Sequence, residues 1–319
     1  MGEDFPSDQL EFDERFATEA ACREYLERLR WPAGFVCPRC GHRSGWKTQR
    51  LQRLCAACLH PASVTAGTIF QDTHKPLRLW FHAAWLVTGQ NYGVSALGLQ
   101  RVLGLGSYLT AWSWLHKLRR AMVRPGRDRL SGTVEVDEVY VGGERSGKRG
   151  RGAAGKTLVL IAAQTDGAKI GRIRLKRIPD ASGATLVEAV GQGVALGSQV
   201  LTDGWRGYAQ LEAQGYRHAI VRATAIVGEN LLPRANRVAS LLQRWLLGTH
   251  QGAVSASHLD YYLDEFTFRF NRRTSRSRGK LFYRLLQQAV QVEPSPYKEM
   301  VGGRTLATSA QPAEGTGVN

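Results

Sequence analysis

Two short cysteine pairs, Cys37-Pro-Arg-Cys40 and Cys55-Ala-Ala-Cys58, stand fourteen residues apart in a chain of 319. Each pair curls two thiolates toward one point, and two pairs supply the four soft ligands that a tetrahedral zinc ion takes. A redox dithiol needs one pair, so the second argues for metal. The spacing is close to that of a zinc ribbon and predicts a structural Zn²⁺ on Cys37, Cys40, Cys55 and Cys58. Cys22 falls outside the set and is expected in a core, on one face with Leu26 of a helix over residues 18–30. Arg39, Arg43, Lys47, Arg50 and Arg53 decorate the ribbon, as solvated cations or as a DNA-facing surface.

The formal charge is +16 and the sequence pI about 10.0, but the charge is unevenly placed. Residues 1–30 carry −5, so the remaining 289 carry +21. A body that basic favours a polyanion as partner, through release of phosphate counterions. No run of 18 uncharged apolar residues is present, so no membrane span is expected. The acidic start lacks the basic and apolar regions of a signal peptide, and the cytoplasm is the expected compartment.

Helical patterns over 77–88, 94–103 and 107–123 follow the ribbon, the last two joined by Gly104-Leu105-Gly106. They suggest a helix-turn-helix-like pair, with Val94, Leu97, Val102 and Leu103 as one apolar set and Ser107 as a cap. In such a pair the second helix reads the major groove. Here that helix is rich in core-type residues (Trp112, Trp114, Leu115, Leu118), with Lys117, Arg119 and Arg120 at its far end. Strands are expected over 133–141, 157–165 and 171–178, then a helix near 182–194, a strand ending at Thr202, a helix near 205–214 and a strand near 216–222. Helices near 235–247 and 257–272 close an α/β domain. The tail from Pro294 is polar and expected to lack structure.

The strand Val134-Glu135-Val136-Asp137-Glu138-Val139-Tyr140-Val141 poses the functional question. Alternation puts Glu135 and Asp137 on one face and Glu138 on the other. A carboxylate on a half-buried sheet needs a partner, either an arginine or a divalent metal. Asp203, in LTDGWRGY, follows the apolar end of a second strand, a place that suits a catalytic ligand or a helix cap. Adjacent strands lie about 5 Å apart, close enough for two carboxylates to share metals.

In order, CPRCGH…CAAC, GTIF, LGLQRVLG, VEVDEVYVGG, LTDGWRGY, RWLLGTHQGAVS and EFTFRFNRR resemble the bacterial zinc-ribbon insertion-sequence transposases, whose catalytic part is the ISXO-like DDE domain. The resemblance covers about residues 15–290. It implies a ribonuclease H-like fold with Asp137 and Asp203 as the first two catalytic acids, and it places the third ligand on Asn236, at the start of a helix. The family carries Lys seven residues further on; Gln243 stands there, beside Arg244. Asn236, Ser240 and Gln243 share a helix face. The implied catalytic cofactors are two Mg²⁺ or Mn²⁺ ions on Asp137, Asp203 and Asn236.

Two basic clusters complete the expected DNA surface. Arg145, Lys148, Arg149, Arg151 and Lys156 lie on a Gly-rich hairpin; Arg272 and Arg273 lie in FRFNRRTSRSRGK, where phenylalanines interleave with cations. Gln243 and Arg244 are added to that surface. The expected division is 1–75 (N-terminal helix and ribbon), 76–130 (helical DNA-binding segment), 131–290 (DDE domain) and 291–319 (disordered tail). The function implied is a transposase that binds the double-stranded inverted repeats of its element, cleaves and transfers strands, and works as a homodimer or larger on DNA. The competing expectation is a decayed or co-opted DNA-binding relative, kept open by Asn236 and Gln243.

Overall fold

The computed structural model describes residues 3–49, 51–90, 92–124, 126–142, 156–222, 231–251 and 254–302. Arg50, Arg145, Lys148, Arg149, Arg151, Glu229 and the segment 303–319 lie outside the described residues.

Helices α1 (Gln9–Arg15) and α2 (Glu19–Arg30) open the chain, each started by a side-chain cap: Asp8 accepts from the Glu11 N–H and Thr18 from the Ala21 N–H. A small antiparallel sheet follows, β1 (Gly45–Lys47), β2 (Arg53–Cys55) and β3 (Pro61–Ala62). Next come α3 (Leu77–Gly89), α4 (Ala96–Leu103) and α5 (Tyr108–Ala121). Ser95 and Ser107 cap the pair α4 and α5, and Gly104 closes α4 in the left-handed region at φ +60°. The apolar set of this pair differs from the expected one. Leu99 is the buried residue of α4, while Leu97 and Val102 are exposed. A helix of eight residues presents only a narrow stripe to its neighbour, and Leu99 occupies it.

The second half is a five-stranded sheet in the order β6-β5-β4-β7-β8. Its strands are β4 (Thr133–Val141), β5 (Thr157–Asp166), β6 (Lys169–Ile178), β7 (Gln199–Thr202) and β8 (Arg217–Ile220). The first three form an antiparallel meander, and β7 and β8 then add parallel to β4. Helix α6 (Gly183–Gly193) covers one face, with Leu186 and Val190 packed among Val134, Val136, Leu160 and Ala162. Helices α7 (Pro233–His250) and α8 (Leu259–Asn271) cover the other, where Val238, Leu242 and Leu263 meet Val159, Ile161 and Leu175.

Helix α9 (Arg278–Ala289) returns to the N-terminal helices. Its Phe282, fully buried, stands edge-on to Phe12 and Phe81 and also meets Phe16 and Tyr25, while Trp80 stacks on Trp114 at 3.9 Å. The helical body is thus built from both ends of the chain. It is joined to the sheet domain through the buried Glu265 of α8, which accepts from Arg119 of α5 at 2.7 Å. Arg119 is therefore a core residue rather than a DNA-facing cation.

Two local expectations change. In place of a helix near 205–214 there is a 3-10 turn at Arg206–Tyr208, because Gly204 takes φ +85° and the chain then folds tightly against α6. A Cβ at Gly207 would meet Leu186 at 2.6 Å. Within the expected tail, α10 (Tyr297–Gly302) forms, and Met300 is fully buried. Among the described residues no helix is long and apolar enough to cross a membrane.

Candidate active site and metal-binding ribbon

The ribbon sets its cysteines at the ends of two hairpin turns. The Cys37 and Cys58 sulfurs are 3.7 Å apart and those of Cys40 and Cys55 3.6 Å, and all four lie within 4.8 Å of one another. A tetrahedral ion with bonds of about 2.3 Å requires sulfurs about 3.8 Å apart, so the four thiols fit zinc. Backbone N–H groups of Cys58 and Ala57 favour the Cys55 thiolate, the form that a metal binds. The ribbon's own core is only Phe35, Cys37, Cys55 and Ala62, with Trp31 and Cys58 against it. Its cations are partly spoken for. Arg53 makes a two-pronged bond to Glu27 of α2 at 3.1 and 3.2 Å, and Lys47 lies 3.5 Å from the same carboxylate. Arg39 and Arg43 remain exposed.

The strand acids divide into three environments. Glu135 faces α7: its Oε2 accepts the backbone N–H groups of Arg234 and Ala235 at 2.7 and 3.0 Å, and its Oε1 accepts the Arg234 guanidinium at 2.9 Å. Glu138, on the opposite face, accepts the hydroxyl of buried Tyr208 at 2.7 Å. Asp137 shares the Glu135 face, half-buried, and its Oδ1 accepts the Glu138 N–H at 2.9 Å.

The last paired residues of β4 and β7 are Glu135 and Leu201, and β7 ends at Thr202. Asp203 therefore stands one residue past the end of the strand beside the one that carries Asp137, near enough for its charge to act on the Asp137 carboxyl. The Asp203 Oδ1 accepts the Trp205 N–H at 3.0 Å, the bond of a tight turn made possible by Gly204. Burial first, and then Glu138, Asp203 and Glu135, push the Asp137 carboxyl up to about 6, against the pull of its bond from the Glu138 N–H. With Glu135 taken by Arg234 and Glu138 turned to the opposite face, Asp137 and Asp203 are the two of these four acids whose oxygens suit a divalent cation such as Mg²⁺.

Asn236 is exposed in the first turn of α7, directly after the two N–H groups that Glu135 holds. Seven residues on, the Gln243 Nε2 reaches the Tyr140 carbonyl at 3.4 Å, so α7 runs along β4 from Glu135 toward Tyr140. Arg244 is exposed beside it, and Lys156 is half-buried just before β5. Arg272 stacks on Phe268 at 4.1 Å. Arg273 stacks on Phe270 at 4.1 Å and donates to the carbonyls of Phe270, Gly171 and Ile170, which ties the end of α8 to the edge of the sheet. Of the two partners expected for a carboxylate on this sheet, Glu135 has the arginine, Arg234. Tyr208 is the site residue that the sequence does not single out; a tyrosine after a turn carries little signal.

A meander followed by two parallel strands, with Asp137 on the central strand and Asp203 just past the end of its parallel neighbour, is the layout of a ribonuclease H-like DDE domain, here behind a zinc ribbon. Residues 129–271 match the ISXO2-like transposase domain, and residues 17–61 match the transposase zinc-ribbon domain. A relative from Halobacterium salinarum, described as an uncharacterized protein in transposable element ISH50, is 30% identical over 288 residues, which span 83% of this chain and 94% of the relative. The chain belongs to the ISXO2-like transposases of insertion sequences.

Proposed function

We propose that the protein binds the terminal inverted repeats of its element as duplex DNA and catalyses strand cleavage and strand transfer at the site formed by Asp137, Asp203 and Asn236. What supports this reading is Asp137 on β4 with Asp203 just past the end of the neighbouring β7, close enough for their charges to interact, beside a helix start held by Glu135. These three side chains would hold two Mg²⁺ or Mn²⁺ ions; bound there, the ions lower the pKa of an attacking water and stabilise the departing oxygen. Glu135 is left out of that set because Arg234 already neutralises it.

Water breaks one phosphodiester bond and frees a 3′-hydroxyl at the element end. That hydroxyl then forms a new bond to a target phosphorus as the target's own 3′-oxygen leaves. The chain contributes position: β4 and β7 fix the acids, and α7 lays Asn236 and Gln243 along the same site. The ribbon and the helical pair supply end recognition, and two ends cut together call for a dimer or larger. A second reading, a DNA-binding relative without cleavage, is favoured by one observation, the neutral Gln243 bonded to the Tyr140 carbonyl where a cation would meet phosphate.

The test is a cleavage assay on labelled duplex carrying the flanking repeats, with Mg²⁺ or Mn²⁺, comparing wild type with Asp137→Asn and scoring binding in the same samples. Cleavage at the repeat ends, lost in the variant while binding persists, supports transposition chemistry. Binding without cleavage that Gln243→Lys restores supports the second reading. No binding by the wild type sinks both.

A further inference from the structure

The edge strand β6 borders an open cleft that the catalytic site does not use. Val136, Ala162 and Arg174 align across β4, β5 and β6, so Arg174 points to the α6 side of the sheet, away from the face of Asp137. Between this edge, the residues Met122, Arg124, Arg127 and Asp128, and the neighbouring parts of α8 and α9 lies a cleft of two adjoining lobes, about 340 and 640 Å³, that share Arg127 and Arg174. Six arginines line the larger lobe: Arg124, Arg127, Arg172, Arg174, Arg272 and Arg284.

The larger lobe has a single carboxylate in its lining, Asp128, 3.5 Å from Arg124 and 3.9 Å from Arg172. Glu3 answers Arg284 from outside the cleft, and the smaller lobe adds Asp264, toward Arg127, and Asp260, which is paired with Arg177. Arg272 makes no ion pair among the described residues; beyond its stacking on Phe268 it offers one long bond, 3.4 Å, to the Phe268 carbonyl. Burial, followed by repulsion from Arg284 and Arg124, pushes the Arg272 guanidinium down to about 10. Burial, followed by Arg127 and Arg172, does the same to Arg174. Separate segments thus hold like charges together at a cost, and an anion would offset it. Guanidinium forks match the paired oxygens of a phosphodiester. The lobe is of the size that encloses a multi-atom ligand rather than one ion, and its cations are spread along it.

We propose that this arginine cleft is a clamp for the phosphodiester backbone of DNA, a contact zone two strands, or about 10 Å, across the sheet from Asp137. It rests on the transposase reading and adds to it a place where DNA passes the catalytic domain on the side of α6. Contacts here carry affinity and register rather than sequence.

The experiment is fluorescence anisotropy of a flanking-repeat duplex against salt concentration, with the full chain. It compares wild type, the double variant Arg124→Gln/Arg172→Gln, and a control, Arg217→Gln, on the far edge strand β8. Both cleft residues are about half exposed, 57% and 44%, so the fold tolerates their loss, and thermal melting checks this. The double variant is expected to bind roughly tenfold more weakly, with the slope of log K against log salt shallower by about two. The control is expected to keep the wild-type slope. Wild-type affinity and slope in the double variant overturn the clamp and leave the transposase reading intact. No DNA binding by the wild type overturns that reading and the clamp with it.

Discussion

Glu135 and Arg234 stand 99 residues apart and form a two-part contact: the carboxylate takes the guanidinium at 2.9 Å and also the Arg234 backbone N–H at 2.7 Å, while a third donor, the Ala235 N–H, lies at 3.0 Å. Glu135 is 2% exposed. It does for α7 what a capping side chain does, from a strand rather than from the preceding residue, since Leu232 offers no side-chain cap. The negative charge also meets the positive end of the helix. Glu135→Gln keeps an acceptor but loses the charge, and is expected to cost about 2 kcal/mol in denaturant unfolding. Glu135→Ala is expected to cost roughly 3 kcal/mol or more, because Arg234 and two backbone donors lose their partner. Because the start of α7 carries Asn236, cleavage by Glu135→Gln is expected to fall in kcat more than in DNA affinity. A change confined to affinity would count against the positioning role.

The ribbon stands or falls with its metal. Its core is too small to fold unaided, and a structural zinc adds its binding energy directly to folding. One zinc per chain is expected by elemental analysis, falling to none in Cys40→Ser. Chelation is expected to remove the low-temperature part of the melting curve while the aromatic cluster around Phe282 still melts separately. It is also expected to weaken binding to the repeat duplex. Full metal content in Cys40→Ser would refute the four-thiol site.

Much of this was legible because its signals are local. Cysteine spacing shows the ribbon, a serine cap shows the start of α5, and an apolar strand interrupted by acids marks Asp137. What was not legible depends on distant partners. Nothing near Arg119 reveals that Glu265 awaits it 146 residues on, so a basic helix end reads as solvent-facing when it is core. The expected boundary put Arg278–Ala289 in the sheet domain, residues 131–290, yet Phe282 and Leu285 complete the N-terminal core. The turn after Asp203 looks helical by composition, but Gly204 at φ +85° and the close approach of Gly207 to Leu186 bend it early. Asp203 itself was legible as a strand-end acid; that its strand runs parallel beside the one carrying Asp137 needed the sheet order.

Asp137 gives a pH-dependent test. Burial, with Glu138, Asp203 and Glu135 adding to it, raises its folded carboxyl from 3.8 to about 6. A raised value means that the folded chain holds the proton more tightly, so this group's stabilisation is complete below about pH 4 and is lost as pH rises through about 6. At pH 8 the ionised side chain therefore costs stability. Asp137→Asn is expected to melt higher than wild type at pH 8, by about 1–2 kcal/mol once solvent screening is allowed for. Near pH 4 the two are expected to converge. Mg²⁺ in excess is expected to raise the melting temperature of wild type at pH 8 and not that of Asp137→Asn. A variant less stable than wild type at pH 8 would show that the acids are not in conflict.

Glu265 responds to acid in the opposite sense. Its Oε2 takes Arg119 at 2.7 Å and its Oε1 takes Arg269 at 2.7 and 2.8 Å, at a site where it is about 1% exposed. Burial alone would raise its carboxyl, but Arg269 and then Arg119 outweigh burial and hold it down to about 2. A depressed value places its stabilisation above the ordinary 4.5, to be lost as pH falls through about 2. Wild type is therefore expected to lose stability steadily below about pH 4.5. Glu265→Gln removes the charge and leaves buried Arg119 and half-buried Arg269 without it, at a cost of roughly 3–5 kcal/mol near neutrality. Its stability is expected to vary less between pH 4.5 and 2, since the titrating group is gone. Arg119 belongs to α5 and Glu265 to α8, so the same variant is expected to separate the melting of the helical body from that of the sheet domain. A single unchanged transition in Glu265→Gln, with wild-type acid sensitivity, would mean that the apolar contacts between α5 and α8 hold the two bodies together without the ion pair.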